Sequence, residues 1–434
     1  MLSGRANGEP QESVPIVNPS PLHLFAGFGI ELEYMMVAAE TLSVLPVADR
    51  VLAAAAGKIT GDVELGPIAW SNELVNHVIE LKTNGPVASL TGVEELFADS
   101  VRRVNCLLEP LGGRLLPTAM HPWMDPAAET QLWPHEYNEV YQTFDRIFGC
   151  RGHGWSNLQS THLNLPFHDD AEFARLHAAI RLLLPVLPAL AASSPFIEGR
   201  YANNLDQRLH VYRGNCARVP LVTGHVIPEP AFSEADYRRR ILEPMFAAIA
   251  PLDPEGTVRH EWLNARGAIA RFMRNTIEIR VLDIQECPQA DLSICRAIVA
   301  VLQALVNEHW SSLAEQQAWP VEPLEQILLA TIRAADQAVI DNADYLALFG
   351  LSGVRSCSAA ELWRHLLATL PNTSANQAVV AEPALRLILE EGPLARRILT
   401  ALDHAETPAR AALAAVYRRL ADCLAEGRLL AARP

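Results

Sequence analysis

Four short segments of this chain alternate apolar and polar residues, and each sets two reactive side chains two positions apart. They are Phe28–Tyr34 (FGIELEY), His77–Thr83 (HVIELKT), Ser160–Pro166 (STHLNLP) and Thr276–Asp283 (TIEIRVLD). Residues i and i+2 of a β-strand share a face, so the pattern restricts the fold sharply. Glu31/Glu33, Glu80/Lys82, His162/Asn164 and Glu278/Arg280 each project from one side of their strand. Ile30/Leu32, Ile79/Leu81, Leu163/Leu165 and Ile277/Ile279/Val281 point the other way, into a core. If the strands neighbour one another in one sheet, their polar faces merge into a pocket floor. That floor holds four carboxylates, one imidazole and two cations, which suits a metal-and-phosphate site.

Any half-exposed antiparallel strand also alternates, so a solvated face is the competing explanation. Residue choice separates the two. Solvated strand faces favour Thr, Lys, Arg and Gln, whereas Glu, Asp and Asn are depleted in strands. Four glutamates in four strands run against propensity, and such conflicts gather at functional sites.

The rest of the chain reads as strands with interleaved helices, followed by a helical tail. Leu42–Val47 is a candidate hairpin partner for the first strand, and a polar, Gly-containing stretch precedes the second. Asn84-Gly-Pro stops the second strand. Residues 91–108 have helical periodicity, with Thr91 as N-cap and Glu94 completing a capping box. Residues 114–120 read as a short strand, and 136–148 as a helix. Another helix opens at His168-Asp-Asp, residues 193–230 form a long irregular segment over the site, and 234–249 is helical. This order predicts an α+β fold rather than a doubly wound parallel sheet. We divide it into a lead-in (1–20), a catalytic α+β domain (21–310) and a helical C-terminal region packed on that domain (311–434).

At 434 residues with half of them apolar, the chain can bury a large core. Its net charge of -15 is spread without long acidic or basic runs, which argues against nucleic-acid or anionic-membrane partners. The seven cysteines include no C-x-x-C pair, as expected of free thiols in a reduced compartment rather than a thiolate zinc site. The first twenty residues are polar and lack the apolar stretch of a secretory signal. The most apolar segment, residues 178–196, is interrupted by Arg181 and three prolines, and reads as a buried helix pair rather than a membrane span. The expected location is the cytoplasm. Lysine is nearly absent, with only Lys58 and Lys82 present, so a Lys within Ile-Glu-Leu-Lys-Thr is itself suggestive.

Two carboxylates on one strand face lie roughly 7 Å apart. At an effective dielectric near 20 they repel by about 2 kcal/mol. Four glutamates around one pocket are offset only in part by Lys82 and Arg280, so either some are protonated or cations sit among them. Oxygen-rich ligands with one imidazole suit Mg²⁺ or Mn²⁺ rather than Zn²⁺. Divalent ions edged by Lys and Arg are what phosphoryl transfer requires. The sequence has no G-x-x-x-x-G-K-[ST] loop, complete dinucleotide fingerprint, G-x-S-x-G elbow or H-E-x-x-H helix.

These motifs resemble the carboxylate–amine ligase family related to glutamate–cysteine ligase, which shares the glutamine-synthetase-like fold. Gly29-Ile-Glu31-Leu-Glu33 is similar to the family's opening G-x-E-x-E strand. Val78-Ile-Glu80 with Thr83-Asn-Gly-Pro is similar to its second acidic strand and turn, and Thr118-Ala-Met-His121-Pro122 to its G-x-H-P segment. Thr161-His162-Leu-Asn164 falls at its histidine-bearing strand. Ser193-Ser194-Pro195-Phe196, Gly199-Arg200 and Tyr212-Arg213 resemble an S-S-P-F-x-x-G-R block and a later substrate-binding arginine. Thr276-Ile-Glu278-Ile-Arg280 with Asp283 resembles the E-x-R-x-x-D strand.

The resemblance implies a curved antiparallel sheet lining a funnel, with helices outside and ATP and Mg²⁺ (or Mn²⁺) bound within. It implies phosphorylation of an amino-acid carboxylate, the γ-carboxylate of glutamate in the family, and displacement of phosphate by an amine such as cysteine. Carried over, Glu31, Glu33, Glu80, His162 and Glu278 are metal ligands. Glu278, Arg280 and Arg200 form the catalytic set, the two arginines holding phosphate, and Arg213 takes a substrate α-carboxylate. Asn164 and Lys82 are assigned to substrate binding, Lys82 from strand geometry alone. The chain departs from the family pattern with one histidine in Ser160-Thr-His162-Leu and a different segment between Arg200 and Arg213, which leaves the amine, and even the acid, open. Two other readings stay open: a non-catalytic nucleotide- or amino-acid-binding protein, and a metal-dependent hydrolase. A homo-oligomer is compatible with either.

Overall fold

The four alternating segments become adjacent strands of one antiparallel sheet. The computed structural model describes residues 21–136 and 138–431, so the lead-in expected over 1–20 lies outside the described residues. The sheet strands are β1 (Gly29–Ala38), β2 (Asp62–Leu65), β3 (Ile68–Asn72), β4 (Val78–Thr83), β5 (Gly113–Leu116), β6 (Ser160–Pro166), β7 (Ala268–Arg271) and β8 (Thr276–Asp283). Their order is β2-β3-β4-β1-β6-β8-β7, with β5 paired to the far end of β1. A register shift in β8 between Ile279 and Leu282 bends that strand, as an extra residue in a ladder does.

The faces separate as alternation requires. Ile30, Leu32, Ile79, Leu81, Leu163, Leu165, Ile277 and Ile279 are at most 1% exposed and join one core behind the sheet. Each such side chain contributes about 1.5–3 kcal/mol on burial, so truncating one, as in Leu163→Ala, costs about 2–5 kcal/mol. The helix Pro288–Val306 is long and apolar enough to cross a membrane by length and composition, but most of it is buried in this core. It packs against the helices Val93–Leu108, Asp170–Leu183 and Pro383–Glu391. The apolar segment 178–196 resolves into the end of Asp170–Leu183, a 3₁₀ turn and the short helix Pro188–Ala191.

The C-terminal helices share a second core with one end of the sheet. Met35, Val37 and Leu116 pack with Leu394, Ile398, Leu413, Tyr417 and Leu420, and Arg114 pairs with Asp422 at 2.8 Å. All seven cysteines are free.

Several local expectations are corrected. The helix from Val93 is capped by Gly92 in the left-handed region (φ 83°) and has no side-chain cap. Glu94 is drawn instead to Arg296 at 3.1 Å, so the Thr91 capping box does not form. Residues 42–47 make only a single bridge, Val44 to Val37. The stretch read as polar loop holds β2 and β3. β3 is buried throughout, so it carries no alternation to detect. Within 193–230, read as irregular, Asp206 caps a helix at Gln207–Tyr212 by accepting from Leu209 N–H.

Candidate active site

Strand register delivers the polar residues to one floor. Glu31 lies opposite both Lys82 and His162, and Glu33 opposite Glu80. Asn164 lies opposite Gly29 and Glu278, and Ser71 opposite Glu80. Gly29 leaves the room Asn164 occupies, since a Cβ there would stand 3.0 Å from the Asn164 Cβ. Above the floor is a cavity of about 840 Å³ lined by Glu31, Glu33, Glu80, Lys82, His162, Asn164, Glu278 and Arg280. Asp62, Glu73, Arg271, Arg274 and Thr276 line it as well. A second chamber of about 260 Å³ adjoins it and shares Glu33, Glu73, His162 and Arg280.

Hydrogen bonds fix the acidic groups. His162 Nδ1 lies 2.8 Å from Glu31 Oε2, and Asn164 Nδ2 donates to Glu31 Oε1 at 3.1 Å. Ser160 donates to Glu33 through both its backbone N–H (2.7 Å) and its hydroxyl (2.9 Å), and the hydroxyl also meets His162 Nε2 at 2.9 Å. Ser71 donates to Glu80 at 2.6 Å. Lys82 Nζ donates to Ser71 Oγ at 2.8 Å and sits 2.9 Å from Asp62 and 3.2 Å from Glu80. On the other wall, Glu278 is held by Arg271 at 3.0 Å and Arg280 at 3.4 Å.

Two groups place their ligand atoms within 4.8 Å of one another: Glu31, Glu80 and His162, and Glu33, Glu73 and Glu80. Glu80 belongs to both. The electrostatics match that crowding. Burial, then the charges of Glu80, Glu33 and Glu31, push the Glu73 carboxyl well above the usual range. Burial and Glu31 raise Glu80 to about 7 against the pull of Lys82 and Ser71. Burial would raise Glu31 too, but the hydrogen bond and charge of His162, with Lys82 and Arg280, bring it down to about 2. Burial opposes protonation of His162, and Glu31, Glu33 and Glu278 outweigh it and raise its pKa. Carboxylates that must take up protons at neutral pH when alone are suited to divalent cations, which replace those protons. The donor set, oxygen with one imidazole, fits Mg²⁺ or Mn²⁺.

The structure brings together Glu31, Glu33, Glu80, Lys82, His162, Asn164, Glu278 and Arg280. Glu278 stands outside both metal-type groups, because its carboxylate is engaged by two arginines. Two expected residues lie elsewhere. Arg200 sits in the hairpin Phe196–Ile197/Arg200–Tyr201, exposed and paired with Glu198 at 3.2 Å. That hairpin is tied down by Gly199 N–H to Pro122 and Tyr201 N–H to Glu406, away from either cavity lining. Arg213 follows the helix Gln207–Tyr212, whose Arg208 and Tyr212, four apart and so on one face, line the smaller chamber. Arg213 points off that face and pairs with Glu325 at 3.3 Å.

Glu73, Asp62, Ser71 and Arg271 join the site without having been foreseen. Arg271 lies opposite Thr276 across β7–β8, which puts it on the Glu278 face. A hairpin reading of residues 268–283 would have found it. Glu73 lies just beyond β3, and no periodicity points to it.

Comparison with known proteins agrees with this architecture. A glutamate–cysteine ligase of Francisella tularensis, solved in complex with AMP, matches with a TM-score of 0.55 at 13% identity, covering 94% of this chain and 90% of that one. A bifunctional glutathione synthetase from Pasteurella multocida matches with a TM-score of 0.54 at 16% identity. There the match covers 92% of this chain but only 52% of the larger one, so the chain spans about half of that enzyme. An uncharacterized protein of Archaeoglobus fulgidus is 36% identical over 269 residues, covering 62% of this chain and 72% of its own length.

The antiparallel sheet with outer helices is the fold that the two solved enzymes share with this chain, and the family model places the chain in the class of the carboxylate–amine ligases. The model of glutamate–cysteine ligase family 2 matches residues 27–418, and the chain belongs to that family.

Proposed function

We propose that the protein joins a carboxylic acid to an amine at the expense of ATP, with Mg²⁺ or Mn²⁺ bound, by way of an acyl phosphate. The observation that carries this reading is the pair of ligand groups sharing Glu80 where the two cavities meet. The larger cavity has the size for a nucleoside triphosphate and carries Lys82, Arg271, Arg274 and Arg280 among its carboxylates, and the Francisella ligase of the same fold was solved with AMP. The smaller chamber leads a second molecule to the same carboxylates.

In the first step a carboxylate oxygen of the acid attacks the γ-phosphorus, and the bond from that phosphorus to the β–γ bridging oxygen breaks, releasing ADP. In the second, the amine nitrogen attacks the acyl carbon, inorganic phosphate departs and the nitrogen loses a proton. Glu31, Glu80 and His162 would hold one cation, and Glu33, Glu73 and Glu80 a second. Cations held there would supply charge neutralisation for phosphoryl transfer. Arg271 and Arg280, converging on Glu278, place positive charge where negative charge spreads over the transferred group. Lys82, fixed by Asp62 and Ser71, supplies a further cation on the opposite side. Ser160 and Asn164 hold Glu33 and Glu31 in place, so the site needs little rearrangement.

The test is ADP formation by the purified chain with ATP and Mg²⁺, with hydroxylamine as a generic amine that traps acyl phosphates as hydroxamates. Release of ADP and hydroxamate together, dependent on an added acid, supports the reading. Phosphate release from ATP and water alone, equal with and without acid, contradicts it.

A further inference from the structure

The smaller chamber differs in chemistry from the site it opens on. Its walls are Leu74, Val78, Tyr141, Phe144, Trp155 and Trp262. The Phe144 ring is tilted against Trp155 and Trp262, with centroids 5.3 and 5.7 Å apart, so ring faces and edges border the space. Such walls take up another ring well and a charged chain poorly.

Charge recognition inside the chamber is already spent. Arg208, on its wall, donates to Asp283 at 2.5 Å. Arg213, expected to take a substrate α-carboxylate, lies outside with Glu325. At the mouth, Glu33 and Glu73 belong to the metal-type group, and Arg280 pairs with Glu278. A glutamate bound by its γ-carboxylate at the mouth would therefore carry an ammonium and a second carboxylate past Glu33, Glu73, His162 and Arg280, which line both cavities, toward the aromatic walls, where the one further cation, Arg208, is already paired with Asp283.

Besides the Arg280 Nε at the mouth, which is also without a hydrogen-bond partner, the chamber offers one unused donor and one unused acceptor. The Tyr212 hydroxyl and Asn215 Oδ1 are buried and have no hydrogen-bond partner among the described residues. Gly154 leaves the space for that amide, since a Cβ there would stand 1.8 Å from Asn215 Oδ1. Buried polar groups are normally paired, so two left open in one cavity wall point to a ligand that pairs them. A single hydroxyl can accept from Tyr212 and donate to Asn215.

We infer that the acid activated by this enzyme is an aryl carboxylic acid, its ring among Phe144, Trp155 and Trp262 and its ring hydroxyl between Tyr212 and Asn215. This rests on the ligase reading above and names its acid substrate; the bonds made and broken are those already given. The carboxylate would lie at the chamber mouth, beside the shared metal-type residues.

The experiment is the hydroxamate assay on the full chain with ATP, Mg²⁺ and hydroxylamine, supplied in turn with 3-(4-hydroxyphenyl)propionate, 3-phenylpropionate and L-glutamate. The expected kcat/KM for the hydroxylated acid is at least tenfold above that for glutamate and severalfold above that for the unsubstituted ring. Tyr212→Phe should raise KM for the hydroxylated acid about fivefold, with kcat within twofold, and leave 3-phenylpropionate unchanged. A merely structural role for Tyr212 would move both acids together. Trp262→Leu should raise KM for both aryl acids. A glutamate preference overturns the inference while leaving the ligase reading intact. Hydroxamate from none of the three acids overturns the inference, and phosphate release from ATP that is equal with and without any added acid overturns the ligase reading as well.

Discussion

Ser160 holds Glu33 twice, its backbone N–H and its hydroxyl both donating to the same carboxylate oxygen, at 2.7 and 2.9 Å. The hydroxyl also meets His162, so one small side chain orients two proposed metal ligands on neighbouring strands. Partners of this kind around metal sites change affinity by about 10–100-fold when removed. Ser160→Ala should therefore weaken Mn²⁺ binding by about that factor, measured by calorimetric titration. Its far-ultraviolet circular dichroism should match that of the parent protein.

The Arg208–Asp283 pair is buried on both sides, and Asp283 also accepts from Ser193 N–H and the Ser194 hydroxyl. Breaking a buried pair by removing one partner leaves an uncompensated charge and costs about 3–5 kcal/mol. Arg208→Met should lower the midpoint of urea unfolding correspondingly. Unchanged stability would show that this pair does not anchor the helix Gln207–Tyr212.

Arg200 and Arg213 separate the sequence reading from the structure. Their motifs assign them to phosphate and substrate, whereas the structure pairs them with Glu198 and Glu325 outside both cavity linings. Arg200→Ala and Arg213→Ala should each keep kcat/KM within about threefold. Arg280→Ala, which removes charge from the cavity wall, should lower it by about 10²-fold or more. Steady-state ADP release measures all three.

Much of the site was legible because strand geometry is strict. Once Glu31, Glu80, His162 and Glu278 lie on alternating strands, adjacency alone fixes their common face, and each pair two apart follows. Legibility failed where no period exists. β3 is buried on both faces, so Ser71 went unseen, and Glu73 follows it in a non-repeating segment. Arg213 shows a different limit. A motif carries a residue type but not which face of a short helix it leaves from, and one position separates Tyr212 in the wall from Arg213 outside it. Glu94 failed as a capping residue because Arg296, 202 residues away, competes for the same carboxylate.

Two buried histidines give the fold an acid limit. His77 and His121 bond to the carbonyls of Ser156 and Leu42, both at 2.7 Å. Burial lowers their pKa values from 6.5 to about 4 and about 3. Because the folded values are depressed, the unfolded chain binds protons first. The stability these two histidines contribute is fully present above pH 6.5 and declines as pH falls through 6.5 toward 4, by up to about 1.4 kcal/mol per pH unit for each. The raised carboxyls of Glu73 and Glu80 act in the opposite sense over this range, so the histidine contribution is read as a difference: the urea midpoint of His77→Gln relative to that of the parent should rise as pH is lowered from 7 to 5.

The central claim is that carboxylates from separate strands converge, through Glu80, into a site for divalent cations. Calorimetric titration of Mn²⁺ into the parent protein and Glu80→Gln, each with a non-hydrolysable ATP analogue present, tests it most directly. The account predicts two Mn²⁺ sites per chain in the parent, and in Glu80→Gln the weakening of both by at least tenfold with the fold retained. Indistinguishable isotherms for the two proteins would contradict it.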